Sequence, residues 1–140
     1  MDCNRLVVAM TGASGSSLAL ALLRQLRDLP DWETHFVLSH GAEVTIDYEL
    51  PGQKPEFFAL ADQVYDNSNI GAAIASGSFP TAGMVVIPCS MKTAAGIHSG
   101  YSDSLILRAA DVSRRAAHWC WFPVRLPYPP YTCEIFTNYP

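Results

Sequence analysis

The chain has 140 residues, 49% hydrophobic and 16% charged, which is enough apolar material for one globular domain with a real core. A net charge of -4 and the lack of a basic run argue against nucleic acid as its main partner. Met1 leads almost directly into a first strand with no charged, cleavable leader, and the four cysteines (Cys3, Cys89, Cys120, Cys133) show neither CxxC nor Cys/His metal spacing; a cytoplasmic protein with reduced thiols and no metal site is expected.

The run Leu6-Val7-Val8-Ala9-Met10 is apolar without alternation and too short to span a membrane, which predicts a central strand of a parallel sheet covered on both faces. Leu18, Leu22, Leu26 and Leu29, at spacings of four, four and three, predict a helix with one apolar stripe. Between the two lies Thr11-Gly12-Ala13-Ser14-Gly15. Gly12 and Gly15 permit a sharp turn and close approach to a ligand, Ser14 adds a hydroxyl, and the first free helix amides favour an anion. The stretch reads as a phosphate-binding turn or as an ordinary tight turn between strand and helix.

A second strand is predicted over Glu33 to Ser39. A dinucleotide-binding unit would carry GxGxxG in the first turn and an acidic residue near the end of this strand. Gly12-Ala13-Ser14-Gly15 and Ser39-His40 depart from both, which favours a mononucleotide such as FMN over NAD; His40 reads as a solvent-facing loop side chain. Gly41 to Glu49 predicts a short helix stopped by Leu50-Pro51-Gly52. Glu49 opposes the dipole at that helix end, and from the residues alone it reads as a surface side chain. A short segment, Pro55 to Ala61, and a polar turn, Asp66 to Asn69, follow, with Asn69 expected to cap a helical segment from Ile70 to Ala75. Ser76 to Pro80 is either a plain loop or a lip on a site.

Gly83 to Pro88 is the third clear strand, running into Cys89-Ser90-Met91-Lys92-Thr93 and a helix predicted from Ala94. This second turn brings hydroxyls and a lysine to the carboxyl end of the sheet, where open α/β sheets bind ligands. Cys89 reads as a small buried side chain, since no base is placed for it. Tyr101 to Val112 predicts a further helix carrying Arg108.

Five separated stretches, TGASG at 11–15, the strand end at Ser39, ASGSF at 75–79, PCSMKT at 88–93 and GYSDSLILRAADV at 100–112, together resemble the flavin prenyltransferase family in order and spacing. This is the UbiX group, whose members also carry the names phenolic acid or hydroxybenzoate decarboxylase small subunit. The resemblance covers residues 5–112 and implies an α/β, Rossmann-like or flavodoxin-like parallel sheet with flanking helices. It also implies that Gly12, Ala13, Ser14, Ser39, Ser90, Met91, Lys92, Thr93 and Arg108 line an FMN site. Glu49 matches the family's acidic residue near the reacting flavin, which makes it the catalytic candidate. The implied reaction, without metal, transfers a dimethylallyl group from dimethylallyl phosphate to reduced FMN. The product serves a UbiD-like aromatic acid decarboxylase as partner, and members assemble as homo-oligomers with sites at subunit contacts. An apolar, aromatic-lined pocket can stabilise an allylic cation, and clustered cations and hydroxyls can hold the leaving phosphate. Two other readings are an FMN-binding fragment without catalysis and the related flavin-dependent cysteinyl decarboxylases; the SMKT and RAADV stretches favour the prenyltransferase.

Past Val112 the resemblance stops. Residues 113–140 hold five of the ten prolines and two of the three tryptophans and show no helical or strand period. The family continues with LKE, a strand LVLVPRE and PLSTIHL. His118-Trp119-Cys120-Trp121-Phe122-Pro123 must be encoded CAY TGG TGY TGG TTY CCN, and reading from the third base of each codon gives Leu-Val-Leu-Val and then Pro or Ser. The first four are forced. From Val112 to Thr132 the same offset permits LKEGR, one small residue and LVLVPRETPLSTIHL. The expectation is therefore a flavoprotein domain over 1–112 that lacks its C-terminal part. It is followed by an out-of-frame, non-native tail over 113–140 that packs poorly and leaves a sheet edge uncovered, without a competent enzyme.

Overall fold

The computed structural model describes residues 3–116 and the backbone of 119–121. The elements in order are β1 (Asn4–Met10), α1 (Ser16–Arg27), β2 (Trp32–Leu38), α2 (His40–Glu49), α3 (Lys54–Leu60), β3 (Gln63–Asp66), a 3₁₀ turn (Ala73–Ala75), β4 (Gly83–Val86), α4 (Met91–Ser99), α5 (Leu105–Arg115) and β5 (Trp119–Trp121). The strands pair in parallel in the order β3-β2-β1-β4-β5. That is the Rossmann order, in which the chain reverses its direction of travel across the sheet between β1 and β4.

From Leu6 onward β1 is apolar, as β4 is along its length, because both faces of the sheet are covered there. Val7, Ala9, Val37, Met84 and Val86 pack on one face with Ile97 of α4 and Leu105, Ile106 and Ala109 of α5. Val8, Met10, Phe36 and Leu38 pack on the other with Leu20 and Leu23 of α1, Ile46 of α2 and Phe57 of α3. Each fully buried side chain of this size contributes about 1.5–3 kcal/mol relative to exposure. Phe57 stacks on Phe36 with ring centres 6.2 Å apart, fixing the short α3 against β2.

The predicted elements shift in several places. The buried face of α1 is Ser16, Ala19, Leu20, Leu23 and Leu26, while Leu18 and Leu29 of the predicted stripe are 51% and 46% exposed. The row that meets the sheet is offset from the leucine stripe, sharing Leu26 with it, and runs through the small Ala19. Strand β3 has no counterpart in the reading; it is short, polar at both ends and sits at an edge. Asn69 caps no helix from Ile70, because only a three-residue turn forms, with Ala72 at its start. Helix α4 begins at Met91 rather than Ala94 because Ser90 supplies its cap, and α5 spans Leu105–Arg115.

Two features lie past Val112, where no regular element was expected. Helix α5 continues to Arg115 with Ser113 on its buried face, and Trp119–Trp121 pairs with β4, Gly83 opposite Trp119. A parallel ladder is made by backbone groups, so it forms without a favourable side-chain pattern. Of the poor packing expected over 113–140, only 113–116 can be followed, with Ser113 buried on α5; the side chains of 117–140 lie outside the described residues.

His35 is buried in mid-strand, and its ring nitrogens lie 2.6 Å from Glu33 Oε1 and 2.8 Å from the Tyr65 hydroxyl. Burial, then the neighbouring Glu33, pushes the Tyr65 hydroxyl pKa up. Phe79 meets the His35 ring edge-on at 5.4 Å under the Arg5 guanidinium, so the 76–80 segment is anchored by its aromatic residue.

Candidate functional site

Three loops leave the carboxyl ends of the neighbouring strands β2, β1 and β4, and hydrogen bonds tie them together. Thr11 Oγ1 donates to the Pro88 carbonyl at 2.7 Å and accepts from the Ser90 N–H at 2.7 Å, joining the β1 and β4 turns. Thr45 Oγ1 reaches the Gly12 and Gly41 carbonyls at 2.9 and 3.0 Å, joining the β1 turn to α2. Gly12 and Gly41 touch through their backbones: a Cβ on Gly12 would lie 3.2 Å from the Gly41 Cα and carbonyl carbon. Gly15 adopts a φ of 120°, which side-chain-bearing residues rarely do, and starts α1 there.

The sequence-predicted residues sit on these loops. Gly12, Ala13 and Ser14 form the β1 turn, with Ser14 exposed. Ser39 and Ser90 are the N-caps of α2 and α4, accepting from the Ala42 and Thr93 amides at 3.1 and 3.3 Å, and Ser90 also donates to Thr93 Oγ1 at 3.0 Å. Met91, Lys92 and Thr93 are the first turn of α4. Among the described residues, every lysine and arginine except Lys92 and Arg108 has an ion pair or another polar partner. Arg108 lies in the first turn of α5, whose start is held by Asn67 just past β3: Asn67 O accepts from Leu105 N at 3.0 Å and Oδ1 from Ile106 N at 2.9 Å. The structure thus gathers Gly12–Ser14, Ser39 and Ser90–Thr93 around one end of β1, and Arg108 reaches that end of the sheet on a separate helix.

Glu49 is exposed, yet its carboxylate is held in place. Its Oε1 accepts from Gly15 N at 3.0 Å, Ser16 N at 3.4 Å and Ser16 Oγ at 3.1 Å, and its Oε2 from Gly15 N at 3.2 Å. The carboxylate ends α2 unfavourably, but it sits at the positive end of α1, which offsets that cost. Cys89 is buried beside these groups, and desolvation pushes its thiol pKa up to about 12, so it is no thiolate nucleophile. His40 is exposed, as expected, but it is the first residue of α2 and not part of a loop. Thr11, Thr45 and Asn67 were missed: each acts on a partner 33 to 79 residues away, and no local pattern marks such a contact. Among the described residues no group of His, Cys, Asp and Glu could hold a metal, and no helix is long and apolar enough to cross a membrane.

The donor set suits an anion such as a phosphate: capped helix starts and hydroxyls converge at the switch point of the sheet, with Lys92 on the first turn of α4. That is the arrangement of a nucleotide-binding α/β domain. The Flavoprotein family model matches residues 1–126. A probable UbiX-like flavin prenyltransferase of Escherichia coli O157:H7 is 53% identical over 108 residues, 77% of this chain and 55% of that relative. The chain thus spans about half the length of the curated relatives it matches. Among solved structures, AnUbiX in complex with FMN and dimethylallyl pyrophosphate superposes with a TM-score of 0.89 at 42% identity, covering 95% of this chain and 71% of that one. A dodecameric FMN-dependent UbiX-like decarboxylase from Escherichia coli O157:H7 gives 0.88 at 45% identity, over 94% and 72%. The chain belongs to the Flavoprotein family, in its UbiX-like group.

Proposed function

We propose that the stapled turns form the FMN site of a flavin prenyltransferase, which transfers a dimethylallyl group from dimethylallyl phosphate to reduced FMN. The observation that carries this reading is the convergence of Gly12–Ser14, Ser39 and Ser90–Thr93 on the end of β1, with the Glu49 carboxylate fixed on the adjacent start of α1. In this reading Gly12, Ala13, Ser14, Ser39, Ser90, Met91, Lys92, Thr93 and Arg108 hold the cofactor. Their hydroxyls, amides and two cations would hold the phosphate, and Met91 would supply apolar contact for the ring. Reduced FMN supplies the nucleophilic ring atoms. Oε1 of Glu49 is occupied by three contacts and Oε2 by one, so Oε2 has the lone pair free to take up or return a proton. The relative solved with FMN and dimethylallyl pyrophosphate supports both ligands. The prenylated flavin would pass to a UbiD-like decarboxylase, in the cytoplasm, and the dodecameric relative supports a homo-oligomer.

We further propose that 1–112 is the flavoprotein domain proper and that 113–140 is translated out of frame. The support is the forced Leu-Val-Leu-Val of the shifted reading at 118–121, which falls where β5 pairs with β4. The test is an anaerobic incubation with reduced FMN and dimethylallyl phosphate, read by mass spectrometry of the flavin, on the chain as written and on one with the frame restored after Val112. Product from the restored protein alone is expected. No product from it overturns the prenyltransferase reading, and equal product from both overturns the frame assignment.

A further inference from the structure

Thr11 is 2% exposed, and its hydroxyl proton and one of its lone pairs are both taken up within the protein. Its hydroxyl donates to the Pro88 carbonyl and accepts from the Ser90 N–H, both at 2.7 Å, and its own N–H reaches the same carbonyl at 3.2 Å. The β1–β4 ladder has run out by this point: the last paired residues are Ala9 and Val86, followed by one bond from Ile87 N to Ala9 O. Beyond that bond, every hydrogen bond between the two turns among the described residues involves Thr11. Ser90 in turn caps α4 through Thr93.

We propose that Thr11 is a positioning residue for the cofactor. In this role it is a hydroxyl clasp across the switch point that fixes Ser90 and the first turn of α4 relative to the Gly12–Gly15 turn, without touching the ligand. The proposal rests on the FMN reading of the site. Valine has the shape of threonine but can neither donate nor accept, so Thr11→Val leaves the Ser90 N–H and the Pro88 carbonyl short of a partner. Serine keeps the hydroxyl and loses only a methyl group.

The test compares the parent chain, Thr11→Val and Thr11→Ser by FMN fluorescence titration and by amide hydrogen exchange at Ser90 without ligand. Of the two hydroxyl bonds lost, the one from the Ser90 N–H leaves a donor without its partner, while the Pro88 carbonyl keeps the Thr11 N–H; that predicts FMN affinity about tenfold weaker in the valine variant. Its Ser90 exchange should be faster by a similar factor, while the serine variant stays within about threefold on both readouts. Parent-like affinity in Thr11→Val, or an equal loss in Thr11→Ser, overturns the clasp. If the parent itself does not bind FMN, the cofactor reading fails; Ser90 exchange then decides the clasp, and unchanged exchange in Thr11→Val overturns it. If Thr11→Val lacks the parent's circular dichroism, Thr11→Ser decides, and a tenfold loss of FMN affinity there overturns the clasp.

Discussion

Gly12 and Gly41 touch each other, yet they should respond oppositely to the same added methyl group. A Cβ on Gly12 would lie 3.2, 3.2 and 3.3 Å from the Gly41 carbonyl carbon, Cα and carbonyl oxygen, all backbone atoms held at the start of α2. One loop must then move by a few tenths of an ångström, against the Thr45 bonds that join them. Overpacking of this kind costs about 1–3 kcal/mol. A Cβ on Gly41 would instead lie 3.4 Å from Gly12 Cα and 3.7 Å from Ser39 Oγ, ordinary contact distances, and alanine is the better helix former by up to about 1 kcal/mol. With a urea dependence of about 2 kcal/mol per molar, Gly12→Ala should lower the unfolding midpoint by roughly 0.5–1.5 M. Gly41→Ala should leave it unchanged or raise it slightly. Urea titrations followed by circular dichroism make the comparison. A Gly12→Ala midpoint equal to the parent's, or a Gly41→Ala loss as large as that of Gly12→Ala, would refute the close-approach argument.

Lys92→Ala and Arg108→Ala should each weaken FMN binding about tenfold, the worth of one charge-assisted contact, and flatten its salt dependence while leaving riboflavin binding unchanged in fluorescence titrations. In the frame-restored protein, Glu49→Gln should keep FMN affinity within about threefold but slow prenyl transfer by about a hundredfold or more, as loss of a general acid–base does; full turnover would remove Glu49 from the chemistry. Cys89, with its thiol pushed up to about 12 from an ordinary value near 9, should resist alkylation at pH 8 in the native chain while exposed Cys3 reacts, as read by peptide mass mapping. The native state then binds a proton that the unfolded chain has released, so this thiol's contribution to stability is complete below pH 9 and is lost as pH rises from 9 toward 12. Cys89→Ala should flatten that alkaline loss in urea titrations at stepped pH.

The strands β1 and β4 were legible because burial on both faces leaves an unbroken apolar run, and the turns after them because glycine and hydroxyl residues follow at once. Strand β3 was not legible: Gln63-Val64-Tyr65-Asp66 at a sheet edge carries no such run. The face of α1 was misplaced because leucine content does not say which leucines meet the sheet, and the buried row includes the small Ala19. Glu49 shows the limit most clearly. At the end of α2 its local setting is unfavourable, and only the resemblance raised it. The reason for its place is the Gly15 and Ser16 amides, more than thirty residues away in sequence. The resemblance likewise put Ser39, Ser90 and Lys92 in one site, while the bonds through Thr11 and Thr45 that hold the three turns together had no local signature.

In the proposed function the turns after β1, β2 and β4 take a flavin by its phosphate. The most direct test is a paired fluorescence titration of the chain with FMN and with riboflavin, which differ only in that group. FMN should bind at least about tenfold more tightly than riboflavin, since hydrogen bonds to a charged group are each worth about 1.5–3 kcal/mol. Equal affinity for the two flavins, or no binding of FMN, would contradict it.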